Sequence, residues 1–70
     1  MKAKYHRDAD LLSLKISRKP YVFARQEGDV IVHYSKDREP VLIEIVNAAE
    51  FIKQTNKSLP KDIQRAVLHS

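Results

Sequence analysis

The sequence predicts an α+β fold, an antiparallel β-meander of four to five strands with one or two C-terminal helices packed on one face. Two segments alternate apolar and polar residues with a period of two, which is typical of strands with one buried face. Short polar turns separate the strand segments, and apolar residues at helical spacing begin only after residue 47. We expect residues 1–70 to form one small domain.

The first two strands are predicted on either side of an aspartate-rich turn at residues 7–10. If Tyr5 pairs with Leu12 across this turn, Ala3 lies opposite Leu14. This register keeps the apolar side chains of both strands on one face, because successive side chains in a strand point to opposite faces.

A third strand is predicted at residues 21–25, which are rich in β-forming residues. The alternation leaves two alternatives for its buried face. Either Tyr21 and Phe23 or Val22 and Ala24 face the core. The only glycine of the chain follows in the next turn.

The main hairpin is predicted from two apolar segments around a polar turn at residues 36–39. A pairing of Tyr34 with Val41 gathers six apolar side chains on one face. The cross-strand pairs are then Tyr34–Val41, Val32–Ile43 and Val30–Ile45.

A helix is predicted to begin at Asn47, as the N-cap residue, with Glu50 reaching back in a capping box. Ala48, Phe51 and Ile52 give its apolar stripe. A second, short helix is predicted with Pro60 in its first turn and with the stripe Leu59, Ile63 and Val67.

Two sequence blocks carry a family resemblance. Residues 5–14 read YHRDADLLSL, and residues 30–34 and 40–49 read VIVHY and PVLIEIVNAA. Over about residues 5–50 the chain resembles domain-of-unknown-function family 2283, small uncharacterised bacterial and archaeal proteins. It departs from the family pattern at a turn glycine, here Arg38, at a strand glycine, here Leu42, and at two acidic positions, here His33 and Ser35.

The resemblance implies a fold and little chemistry. Family members look like stand-alone proteins, and some are encoded beside other small uncharacterised genes, an arrangement similar to toxin–antitoxin pairs. An antitoxin-like role, as the partner of another small protein, is therefore the most concrete function that the resemblance implies.

The predicted open face of the sheet, away from the core, carries apolar residues as well as polar ones. Apolar side chains repeated on such a face indicate that something covers it, and the cover is the second helix, a second copy or another protein. We therefore predict a protein-interaction module that self-associates or binds a small protein partner. The candidate interface residues are Leu11, Ile31, His33, Leu42, Glu44 and Val46.

The alternative function is nucleic-acid binding by a basic N-terminal sheet surface. The chain has a net charge of +4, and its first 28 residues hold seven Lys and Arg against three Asp and Glu. Cations among aromatic side chains on a sheet are typical of single-strand binders. The candidate contacts are Lys2, Lys4, Arg7, Lys15, Arg18, Lys19 and Arg25.

We predict no enzyme, no cofactor, no metal site and no small-molecule ligand. The three histidines have no metal-ligand spacing, and Asp8 and Asp10 suit a tight turn. His33 and Glu44 lie one diagonal step apart, which suggests a general-base dyad, but no nucleophile is expected beside them. A cross-strand polar pair is therefore the preferred interpretation.

The sequence also bears on location. It has no cysteine, no apolar run that spans a membrane and no apolar segment near the N-terminus typical of a secretory signal. These features predict a cytoplasmic protein that does not enter a membrane.

Overall fold

The computed structural model describes residues 1–55, and the predicted second helix lies outside these residues. The described chain forms one antiparallel five-stranded sheet and one short helix, which confirms the α+β fold. The elements are β1 Lys2–His6, β2 Leu11–Lys15, β3 Phe23–Glu27, β4 Val30–Tyr34, β5 Pro40–Val46 and α1 Ala48–Thr55.

The strand order across the sheet is β1-β2-β5-β4-β3. β1 and β2 form one hairpin, and β3, β4 and β5 follow one another as neighbours. The connection from β2 to β3 crosses to the far edge, so β2 lies beside β5. This gives the last four strands the Greek-key order.

The register of the first hairpin is the predicted one, with Tyr5 opposite Leu12 and Ala3 opposite Leu14. β2 continues this face into β5, because Leu12 lies opposite Ile45 and Leu14 opposite Ile43. Apolar side chains of the three strands therefore meet on one side of the sheet.

The register of the main hairpin is confirmed for Val30–Ile45 and Val32–Ile43 and is wrong at the turn. Tyr34 lies opposite Pro40, and the register shifts between His33 and Tyr34. The shift leaves Val41 as an extra residue, which is the geometry of a β-bulge. The carbonyl of Val41 accepts the N–H of Ile16 at 2.8 Å, so the bulge joins β5 to the chain after β2.

The third strand begins at Phe23, later than predicted, and every residue in it is exposed. Phe23 stacks on Tyr34 with ring centroids 5.1 Å apart, on the helix side of the sheet. Tyr21 instead contacts His33 on the opposite side, 4.8 Å between centroids. Neither predicted pair is buried, because β3 is an edge strand.

The core lies between α1 and the β1, β2 and β5 part of the sheet. Ala48 and Ile52 from α1 are fully buried, and Phe51 packs against the same cluster, which confirms the predicted helix stripe. The buried cluster is Leu12, Leu14, Ile45, Ala48 and Ile52.

The start of α1 differs from the predicted capping box. Asn47 is the N-cap residue, since its carbonyl accepts the N–H of Phe51 at 3.2 Å. The side chain that caps the helix belongs to Asp10, whose Oδ1 accepts the N–H of Ala49 at 3.0 Å. The Asn47 amide donates to Asp29 at 3.4 Å instead. A carboxylate near the first turn also suits the positive end of the helix dipole.

Candidate interaction surface

The sheet face opposite α1, called here the open face, carries all six residues predicted as an interface. Alternation along each strand puts them there, because their neighbours in sequence face the core. All six are half-buried. The register joins them as three cross-strand pairs, Leu11–Val46, Ile31–Glu44 and His33–Leu42.

His33 and Glu44 form the polar centre of the open face. Nε2 of His33 lies 2.5 Å from Oε1 of Glu44, and their side chains are 19% and 25% exposed. The two residues are diagonal neighbours on β4 and β5, as predicted. The Tyr21 ring lies against His33 at a tilt of 54°. The pair gives the half-buried carboxylate of Glu44 a hydrogen-bond partner.

The sequence interpretation missed Ser13, which lies directly opposite Glu44 on the open face. The alternation of β2 contains the signal, because Ser13 lies between the core residues Leu12 and Leu14. Glu44 therefore has Ser13 on one neighbouring strand and His33 on the other. In nucleophilic catalysis by serine, the histidine lies between the hydroxyl and the acid. Here the acid, Glu44, lies between Ser13 and His33, so the arrangement does not match a catalytic triad.

Three of the seven basic residues predicted as nucleic-acid contacts lie beside the apolar residues of the open face. Lys2, Lys4 and Lys15 are exposed on the open face, on the β1 side. Lys15 lies opposite Leu42, so the cations adjoin the apolar residues. Arg18, from the β2–β3 connection, lines a cleft together with Lys2 and Lys15.

The remaining basic residues lie elsewhere. Arg7 is in the β1–β2 turn, and Arg25 is on the helix side of β3, opposite Val32. Lys19 forms an exposed ion pair with Glu39 at 2.6 Å, and this hydrogen bond raises the pKa of Lys19. The structure therefore groups Lys2, Lys4, Lys15 and Arg18 and separates the other three.

No metal-ligand group is formed by the described residues, since nowhere among them do three or more His, Asp or Glu side chains converge. His69 lies outside this part of the chain. Within residues 1–55, no helix has the length and apolar character needed to cross a bilayer.

Comparison with known proteins gives one match. Neither the curated proteins nor the solved structures contain a match to the chain. A family model described as "Protein of unknown function (DUF2283)" matches residues 2–48, which include all five strands and the start of α1. The match covers well over half of the chain, and it includes the Asp10 turn and the whole open face. The chain therefore belongs to this family of proteins of unknown function.

Proposed function

We propose that this chain is a non-catalytic protein-interaction module that binds another protein through the open face. The observation that carries the proposal is the patch of four apolar side chains on the side of the sheet away from α1. These side chains lie around the His33–Glu44 pair, and apolar side chains repeated on an open sheet face are typical of protein-binding sites. The four residues are Leu11, Ile31, Leu42 and Val46.

The charges around the four apolar residues favour a partner with acidic residues. Lys2, Lys4 and Lys15 border the apolar residues, and Glu44, the one acidic residue that residues 1–55 place on the open face, is already paired with His33. Stacking two copies through this face provides no free carboxylate for the lysines. The face therefore suits a different protein, which places apolar side chains against the four apolar residues and acidic residues against the lysines.

An antitoxin-like protein that neutralises a small toxin is one form of this function. It fits the partner role that the family resemblance implies. The open face supplies what such a role requires, a surface that excludes water from the centre of an interface while the lysines fix its orientation.

The experiment begins in the cells that express the chain. A photo-crosslinking amino acid at Leu42 should give one specific protein adduct, and the same amino acid at Gln54, exposed on α1, should not. The purified partner is then titrated against variants of the full chain. Absence of an adduct at Leu42, or equal adducts at both positions, contradicts the proposal.

Two variants test the parts of the surface separately. We expect Leu42→Asp to weaken binding roughly 30-fold or more, as for a residue at an interface centre, with Gln54→Asp as the control. Lys15→Glu should slow association and reduce its salt dependence, whereas Lys53→Glu, the same change on α1, should not. Unchanged affinity of folded Leu42→Asp overturns the open face as the site.

The second candidate function is binding of single-stranded nucleic acid. The observation that favours it is that the open face carries both the Tyr21 ring and the group of Lys2, Lys4, Lys15 and Arg18. Binding to labelled RNA or DNA that falls steeply between about 50 and 200 mM salt, and is lost in Lys15→Glu, supports it. Absence of binding at the lower salt concentration eliminates it.

A further inference from the structure

Among the described residues, the outer edge of β3 is an open edge of the sheet. Within residues 1–55, β3 pairs only with β4, and all five of its residues, Phe23–Glu27, are exposed. An edge strand presents unpaired N–H and C=O groups that accept another strand, and lysine or proline on the edge discourages such pairing. β1, at the opposite edge, carries the two like charges of Lys2 and Lys4, whereas the two charges of β3, Arg25 and Glu27, are opposite in sign.

We propose that two copies of this chain pair antiparallel through β3 and join their sheets into one. The charges on the strand argue for a second copy as the occupant. Arg25 and Glu27 point to the helix side of the sheet, since they lie opposite Val32 and Val30. They are the only charged residues in β3.

The same charges select the register. A two-fold axis through Gln26 puts Arg25 of each copy opposite Glu27 of its partner, which forms two identical ion pairs. Opposite charges directly across an antiparallel ladder stabilise it, and like charges destabilise it. An axis through Arg25 would instead put two arginines face to face.

Pairing of β3 with β1 of another copy has no such complementarity. The side chains of β1 on the helix side are Ala3 and Tyr5, so Arg25 and Glu27 would find no charged partner there. The symmetric pairing closes with two copies, whereas a β3–β1 pairing would continue into an open-ended assembly.

This interface is separate from the proposed protein-binding face. The two-fold axis stands perpendicular to the joined sheet, so both open faces lie on the same side. The dimer thus presents two copies of the patch around Leu42 to one partner surface, which increases avidity without a new contact.

Charge reversal on the full chain tests the proposal by light scattering and sedimentation equilibrium. We expect a dimer that Arg25→Glu or Glu27→Arg weakens about 10-fold, because each change replaces two attractive pairs by repulsive ones. The double variant Arg25→Glu/Glu27→Arg should restore the original dimer constant. Arg18→Glu, with the same change in net charge, is the control.

Rescue by the double variant is the decisive result, since a merely structural role of either residue would not produce it. A strict monomer at several hundred micromolar overturns the proposal, as does a dimer that both single variants leave unchanged. A dimer lost in Leu42→Asp also overturns it, because the contact is then through the open face. If a monomeric Arg25→Glu chain still binds the partner, the proposed function of the open face does not depend on the dimer.

Discussion

The hydroxyl of Tyr5 donates a 2.6 Å hydrogen bond to Oδ1 of Asp10, the same oxygen that accepts the N–H of Ala49. The carbonyl of Asp10 also accepts the N–H of Ala48 at 3.1 Å. Asp10 adopts a positive φ of 49°, a conformation that Asp tolerates better than most residues. One aspartate therefore fixes the β1–β2 turn and the start of α1 together.

Replacement of Asp10 by alanine should destabilise the domain by about 1–2 kcal/mol, since the helix loses its capping side chain. Urea unfolding followed by circular dichroism measures the change. Asp8→Ala, in the same turn and exposed, is the control and should change the free energy of unfolding by less than about 0.5 kcal/mol. Equal effects of the two variants would contradict the capping role of Asp10.

The same contact should be visible in the titration of Tyr5. Its hydrogen bond to Asp10 raises its pKa above the usual 10.0, helped by burial and by the negative charge of Asp10, while Arg7 acts in the opposite direction. Absorbance of the phenolate in a Tyr21→Phe/Tyr34→Phe background isolates this group. We expect a midpoint above 10.0 that falls in Asp10→Asn.

The sign of the linked stability follows from the raised pKa. The folded state favours the neutral phenol, so this contribution is present below pH 10 and is lost as the pH rises through the folded-state pKa. Between pH 10 and the folded-state pKa of Tyr5, the free energy of unfolding should therefore fall less in Tyr5→Phe than in the parent chain. An unchanged alkaline profile in Tyr5→Phe would contradict this assignment.

The hairpin registers were predictable because alternation has only two phases. Only one of these gathers Leu12, Leu14, Ile43 and Ile45 on one face. The same parity placed His33 and Glu44 together on the open face. The pairing of β2 with β5 was not predicted, since it depends on how the long β2–β3 connection crosses the sheet.

The helix cap shows a different limit. Asn47 and Glu50 match a local capping pattern, yet the capping side chain comes from Asp10, 39 residues before Ala49. A local pattern contains no information on a contact this distant. The bulge at Val41 was not predicted because the turn that precedes it, and not the alternation alone, sets the register there.

Arg38 occupies a turn position that favours glycine, with a positive φ of 65°. Its N–H donates to the carbonyl of Ser35 at 2.9 Å, so the turn holds this conformation despite the side chain. Arg38→Gly should stabilise the domain by about 0.5–1 kcal/mol, because glycine removes the left-handed strain. Lys36→Gly, in the same turn without a positive φ, should instead leave stability unchanged or lower it.

Thermal and urea unfolding of the two glycine variants make the comparison. The midpoint for Arg38→Gly should rise above that of the parent chain, while the midpoint for Lys36→Gly should not. If Arg38→Gly destabilises the domain, the arginine side chain contributes more through its contacts than its backbone conformation costs.

The contact between His33 and Glu44 predicts a modest coupling energy. Both side chains are partly exposed, so solvent screens the interaction and a value of about 0.2–1 kcal/mol is expected. A double-mutant cycle with His33→Ala and Glu44→Ala, followed by urea unfolding at pH 7, isolates this value. The control cycle combines Glu44→Ala with Gln26→Ala, which lies two strands away through Ile31 and should show no coupling.

The size of the coupling bears on how the open face binds. A favourable value means that Glu44 is paired with His33 in the unbound protein. The partner then binds a preformed surface on which the lysines are the groups without a counter-charge. Zero coupling would mean that the contact with His33 adds no net stability, so a cationic group of a partner would replace His33 at little cost in folding free energy. Such a partner would place a basic residue against Glu44 as well as acidic residues against the lysines.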